Sequence, residues 1–188
     1  ALIVGSEQII SALFGYGSFD ELSVSNSANA LYYFGLGLPA FALIKVFSTF
    51  FFANQDTKTP FYISLFSVIL NILISVYFFR EIGFIIIPIA TTISSWLNAI
   101  ILFVYLKNKD LFNFNELFFA KLIKILLASI LMGIFFNYLI LFFENKLLYE
   151  YNFKSFYLIL SAFLSLIFYL SFSLFIKAFK YGDIKLKY

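Results

Sequence analysis

Five stretches, at about 28–52, 61–79, 84–106, 117–143 and 156–176, each run for roughly 20 residues on Leu, Ile, Phe and Val, with charge confined to their ends except at Lys45, Lys121 and Lys124. A helix rises 1.5 Å per residue, so each run is long enough to cross the apolar core of a bilayer. Strict alternation over ten-residue segments, the mark of a membrane barrel, is absent, and the apolar runs are about twice that length. The expected class is therefore all-α, a polytopic membrane helix bundle. The first residues, ALIVGSEQIISALFGYG, reach a Gly-Tyr-Gly turn too soon to span and read as the end of a sixth helix.

Composition agrees with lipid as the solvent. Hydrophobic residues make up 63% of the 188 and charged residues 12%, with 29 Phe and 13 Tyr, and the mean hydropathy is +0.97. Too few polar side chains remain to cover a water-facing surface. Neither Cys nor His occurs, which excludes a thiol nucleophile, a disulfide framework, an imidazole base and the usual zinc site. No cofactor, metal or nucleic-acid partner is indicated. The chain starts at Ala1 without a signal peptide and reads as a piece of a longer protein.

Orientation follows from the basic residues of the short loops. Lys58, Lys107, Lys109, Lys121, Lys124, Lys177, Lys180, Lys185 and Lys187 fall on one side, and Arg80, Lys146 and Lys154 on the other. The first side is the cytoplasmic one. It holds 53–60, 107–116 and 181–188, leaving 15–27, 80–83 and 144–155 outside. No Pro/Gly/Ser-rich linker divides the chain, so 1–188 reads as a single membrane domain or part of one.

Three of the runs carry small or polar residues at helical spacing. The stripes are Gly35, Pro39, Ala42, Lys45 and Thr49; Ser64, Ser67, Asn71 and Ser75; and Pro88, Thr92, Ser95 and Ala99, flanked by Thr91 and Asn98. Two readings fit: close helix packing with amides bonding across the interface, or the lining of a water-accessible cavity, with Pro39 and Pro88 at helix irregularities. Lys45, about two turns inside its helix, is either a snorkelling cation or a binding group for phosphate or carboxylate. The runs 117–143 and 156–176 show no comparable polar face and suit lipid, or a groove holding a lipid chain.

The break between the first two full runs is FFANQDTKTP, residues 51–60. Asp56 is suited to accept backbone N–H groups in a tight turn, and Pro60 to occupy the first turn of the next helix. The segment GLGLPAFALIKVFSTFFFANQDTKTP, 35–60, resembles the MviN/MurJ family of lipid II flippases, whose turn has the form [RN]-Q-D-x-[KR]-T-P. Asn54, Gln55, Asp56, Lys58, Thr59 and Pro60 fit it, with Asn54 standing where Arg or Lys is frequent. SALFGYGSF, 11–19, and SSWLNAIILF, 94–103, are similar to the family's turn after its ninth helix and to its twelfth helix.

The resemblance implies the C-terminal fragment of a fourteen-helix flippase, in the multidrug/oligosaccharidyl-lipid/polysaccharide exporter superfamily: five full transmembrane helices plus the end of a sixth. Residues 1–106 would form part of the C-terminal transport bundle and 107–188 two additional helices. Its implied function is translocation of lipid II, an undecaprenyl-pyrophosphate-linked precursor, across the bacterial inner membrane by alternating access, without catalysis. The implied partners are lipid II, membrane lipids and the N-terminal half of the same protein. Candidate cavity residues are Lys45, Thr49, Ser67, Asn71, Ser95 and Asn98; Gln55, Asp56, Lys58, Thr59 and Pro60 would form a cytoplasmic turn or gate. The alternatives are a polysaccharide-lipid or drug exporter of the same superfamily, and a membrane scaffold that does not transport.

Overall fold

The computed structural model describes residues 1–109 and 116–178, with only the backbone given for 116–119. The expected cytoplasmic C-terminus, 181–188, and most of the 107–116 loop lie outside the described residues. Within them the chain is helical, without strands: α1 Ser6–Phe14, α2 Glu21–Ala53, α3 Lys58–Ile82, a 3₁₀ turn Gly83–Ile85, α4 Ile86–Asn108, α5 Glu116–Phe142, α6 Glu144–Leu147 and α7 Lys154–Phe175. Four stretches are long and apolar enough to cross a membrane: Glu21–Ala53, Lys58–Asn108, Ala120–Phe142 and Lys154–Phe175. The second, 51 residues long, contains both α3 and α4, which the turn at Gly83 folds onto each other. Gly83 has φ 74°, a backbone conformation that side chains with a Cβ resist.

The helix α2 starts seven residues before the 28–52 run. Ser23, Ser25, Asn26 and Ser27 look like loop by composition, but the Asp20 carboxylate accepts the Ser23 N–H at 2.8 Å and caps the helix start. These bonds hold the Asp20 carboxyl below its ordinary pKa.

Residues fall into two compact units. The first comprises 1–25 and the described part of 114–188. Its core is Ala12 on α1, Phe136 and Ile140 on α5, Leu147 on α6 and Leu158 on α7. A Cβ on Gly5 would stand 2.6 Å from the Phe136 ring, so glycine there lets that ring close over the chain before α1. Stacked Phe135 and Phe168, with ring centroids 4.6 Å apart, join α5 to α7.

Polar ties complete this unit. Lys154, 1% exposed, donates from Nζ to the carbonyls of Gly15 and Tyr149, both at 2.6 Å. The rings of Tyr16 and Tyr149 lie 4.4 Å from the same ammonium. Two full acceptors and two aromatic faces replace much of the hydration that burial removes. Beside it Ser155 donates to Ala12 O at 2.6 Å, and the Tyr149 hydroxyl donates to Phe19 O at 2.6 Å.

The second unit, 26–109, is built from α2, α3 and α4. Gly37, Ala40, Phe47 and Phe51 recur at helical spacing along one face of α2 and are all buried. Phe47 and Phe51 pack with Ile63, Leu102 and Leu106. A Cβ on Gly37 would meet Thr92 Oγ1 at 2.9 Å, so α2 and α4 approach closely here. Thr92 Oγ1 donates to Tyr33 O at 2.7 Å, and Trp96 Nε1 to Leu36 O at 3.0 Å. Pro39 lies inside α2, where it supplies no N–H for the carbonyl of Gly35. Pro88 stands in the first turn of α4, where no donor is needed.

Candidate functional site

The hairpin of α3 and α4 is held by side-chain hydrogen bonds in antiparallel register. Asn71 Nδ2 donates to Thr91 Oγ1 at 3.0 Å and to Ser94 Oγ at 3.3 Å. One end of the hairpin further along, Asn98 Nδ2 reaches Ser64 Oγ at 3.5 Å. The pairs Asn71–Thr91 and Ser64–Asn98 share one register, centred on Glu81 beside the turn. The i+3 and i+4 spacing of the polar residues on each helix thus brings two stripes face to face.

Between them is a recess of about 430 Å³ whose polar lining is Ser64, Ser67, Asn71, Thr91, Ser94, Ser95 and Asn98, with Phe41 and Ile44 of α2 at its apolar side. Ser67 and Ser95 are satisfied by carbonyls one turn back, Ile63 O at 3.0 Å and Thr91 O at 2.6 Å. Asn98 Oδ1 is buried without a hydrogen-bond partner among the described residues. This recess is uncharged and presents hydroxyl and amide groups, which suits water or a neutral polar group.

The four candidates Ser67, Asn71, Ser95 and Asn98 therefore share one recess, whereas Lys45 and Thr49 do not line it. At 100° per residue Lys45 lies about 160° around α2 from Phe47, on the face turned from α4. Both Lys45 and Thr49 are exposed within this unit, and Thr49 Oγ1 bonds to Val46 O of its own helix at 2.6 Å.

The turn between α2 and α3 is organised by Asp56. Gln55 takes φ 59°, a left-handed conformation that ends α2, and the N–H groups of Gln55 and Asp56 return to Phe52 O and Phe51 O at 3.0 and 2.9 Å. Asp56 Oδ1 accepts the Thr59 N–H at 3.0 Å, while Oδ2 accepts Thr59 Oγ1 at 2.8 Å and Lys109 Nζ at 2.7 Å. The Lys109 ammonium, followed by the two Thr59 donors, holds the Asp56 carboxyl well below the usual carboxylate range. Lys58 is the first residue of α3, and Pro60 lies in the first turn, where a missing N–H costs nothing.

Lys109 is the site residue that the loop sequence does not disclose. It lies just past the C-terminus of α4, its ammonium 5.8 Å from the Phe51 ring, and its partner is 53 positions earlier. The signal that could have found it is the fold-back at Gly83, which returns the far end of α4 to the level of residue 56.

Comparison with known proteins adds a family. The family described as lipid II flippase MurJ matches residues 1–162. The chain is 36% identical over 136 residues to a probable lipid II flippase MurJ of Rickettsia prowazekii (strain Madrid E), covering 71% of this chain and 26% of that protein. It is 40% identical over 106 residues to the protein of the same name in Rhizobium meliloti (strain 1021), covering 56% and 20%. The counterpart in Thermotoga maritima is 35% identical over 132 residues, covering 70% and 26%. The chain thus spans about a quarter of the length of the curated relatives it matches.

Proposed function

This chain belongs to the lipid II flippase MurJ family, and from that premise we propose that it is the C-terminal part of a flippase that carries lipid II from the cytoplasmic to the outer leaflet. It belongs to a multi-pass protein of the bacterial inner membrane. The observation that carries the functional reading is the match over residues 1–162, which takes in the Asp56 turn and the whole polar hairpin of α3 and α4.

The mechanism asks for alternating access and for no covalent step. Ser67, Asn71, Ser95 and Asn98 supply a polar surface inside apolar helices, where a headgroup or its water can be accommodated without burying unpaired polar atoms. Lys45 stands on another face of α2 and offers an ammonium to the pyrophosphate of the lipid-linked substrate. Gln55, Asp56, Lys58, Thr59 and Pro60 form the cytoplasmic turn, and the Asp56–Lys109 pair ties it to the end of α4. In unit 1, α5 and α7 present Leu, Ile and Phe to lipid, suited to the polyprenyl tail. Membrane lipids and the remainder of the same protein are the other partners, and the protein acts as a transporter, not as an enzyme.

The full-length protein expressed in cells depleted of their own flippase tests this. Lipid II should regain exposure at the outer leaflet, read by its accessibility to an external probe. Normal membrane expression without that exposure would refute the reading.

A further inference from the structure

Within unit 1, residues 12–19, which end α1 and follow it, are joined to residues 149–155 by four hydrogen bonds. Lys154 Nζ donates to Gly15 O, Ser155 Oγ to Ala12 O and the Tyr149 hydroxyl to Phe19 O, each at 2.6 Å. The Tyr16 hydroxyl lies 2.7 Å from Ser155 Oγ. Because Ser155 spends its one proton on Ala12 O, Tyr16 is the donor in that bond.

The ammonium of Lys154 serves both segments equally. From the first it takes the Gly15 carbonyl and the Tyr16 ring, and from the second the Tyr149 carbonyl and the Tyr149 ring. The backbones also come close: a Cβ on Gly15 would stand 3.0 Å from the Tyr149 ring. Behind these ties lies the apolar core of Ala12, Phe136, Leu147 and Leu158.

Segments that open during function are drawn from the weakly held parts of a protein, with few buried contacts and solvent-exposed hydrogen bonds. This junction is the opposite case. Parting it would break four side-chain bonds, strip a buried ammonium of one carbonyl and one ring, and open an apolar core in the same step. We infer that α1 with residues 15–19 and the α5–α7 hairpin pass through the transport cycle as one body, bolted at the outer end by Lys154. Any opening toward the outer side then occurs elsewhere in the protein. The inference rests on the transport reading, and its test separates the two.

Two measurements on an otherwise cysteine-free full-length protein decide it. In the first, Tyr16→Cys and Ser155→Cys are joined by a short bifunctional thiosulfonate that a reductant cleaves. Lipid II transport should proceed at the same rate with the link closed and after its cleavage. Loss of transport on linking, restored by reductant, would overturn the inference and make this junction a gate. In the second, spin labels at Phe14→Cys and Phe153→Cys, both exposed positions, report the distance across the junction. One narrow distance is expected, the same with and without lipid II, and Lys154→Met should broaden it in protein that remains monodisperse. A second distance that lipid II populates in the parent would overturn the inference, and an unbroadened distance in Lys154→Met would remove Lys154 as the bolt. Should the unlinked double-cysteine protein reach the membrane without transporting, the transport reading fails, and the distance measurement still decides whether the junction parts.

Discussion

The Lys109 ammonium lies 2.7 Å from the Asp56 carboxylate across 53 residues of sequence. It joins the turn after α2 to the end of α4. Because Thr59 donates twice to the same carboxylate, Asp56 is the hub and Lys109 one spoke. Asp56→Asn should therefore lower the melting temperature more than Lys109→Ala, and added salt should narrow the gap between parent and Lys109→Ala. Equal effects of the two substitutions would mean that Asn at 56 keeps the Thr59 bonds and that the ion pair accounts for the whole loss.

The same carboxylate gives a pH dependence. Its folded pKa is depressed, so its contribution is fully present above the unfolded value, about 4, and is lost as pH falls through the lower folded value. Asp20, held low by Ser23, adds a component in the same window. Thermal stability of the parent should fall from about pH 4 downward, and Asp56→Asn should show a shallower fall. Identical slopes would remove Asp56 from the account.

Asn71 bridges α3 to both Thr91 and Ser94. Interhelical hydrogen bonds in membranes average about 0.6 kcal/mol, so Asn71→Leu should destabilise by about 1 kcal/mol in a reversible unfolding assay. The recess itself is tested by single cysteines at Ser67, Asn71 and Ser95 in a cysteine-free parent. An aqueous thiol reagent should label Asn71→Cys most readily, being half-buried while the other two are buried. Exclusion from all three positions would make the hairpin a dry packing interface.

Lys154 should be the most sensitive charge in the chain. Lys154→Met keeps the apolar stem but leaves Gly15 O and Tyr149 O without their buried donor. A loss of roughly 2–3 kcal/mol is expected, seen as a lower melting temperature. Lys154→Met as stable as the parent would show that water replaces the ammonium there.

These sites divide by how far their causes are local. The helices were legible because each apolar run is long enough to specify itself, and the Ser67–Asn71 and Ser95–Asn98 faces because residues three or four apart share a side. The start of α2 lies outside the apolar 28–52 run, because the largely polar residues 21–27 carry no hydropathy signal and the Asp20 cap holds them helical. By sequence Lys154 is one loop charge among others, since nothing nearby marks the two carbonyls and two rings that enclose it. The face of α2 that packs was hidden for a related reason. Gly35, Ala42 and Thr49 are small, but Gly37 and Ala40 with Phe47 and Phe51 make the contact, and only the position of α4 selects between the stripes.

That selection bears on Lys45. It is exposed within its unit, on the side of α2 away from Phe47 and Phe51, and its neighbours Ala42 and Thr49 leave room around the ammonium. An anionic substrate group approaching that face would meet an exposed ammonium, for which charge matters more than stem length. In the full-length protein Lys45→Arg should keep most transport and Lys45→Gln should lose it at normal expression. A snorkelling lysine would tolerate both, because either side chain can reach the headgroup level or dispense with it. Equal activity of the two variants would therefore place Lys45 at the lipid boundary, and loss in both with poor membrane expression would assign it to folding.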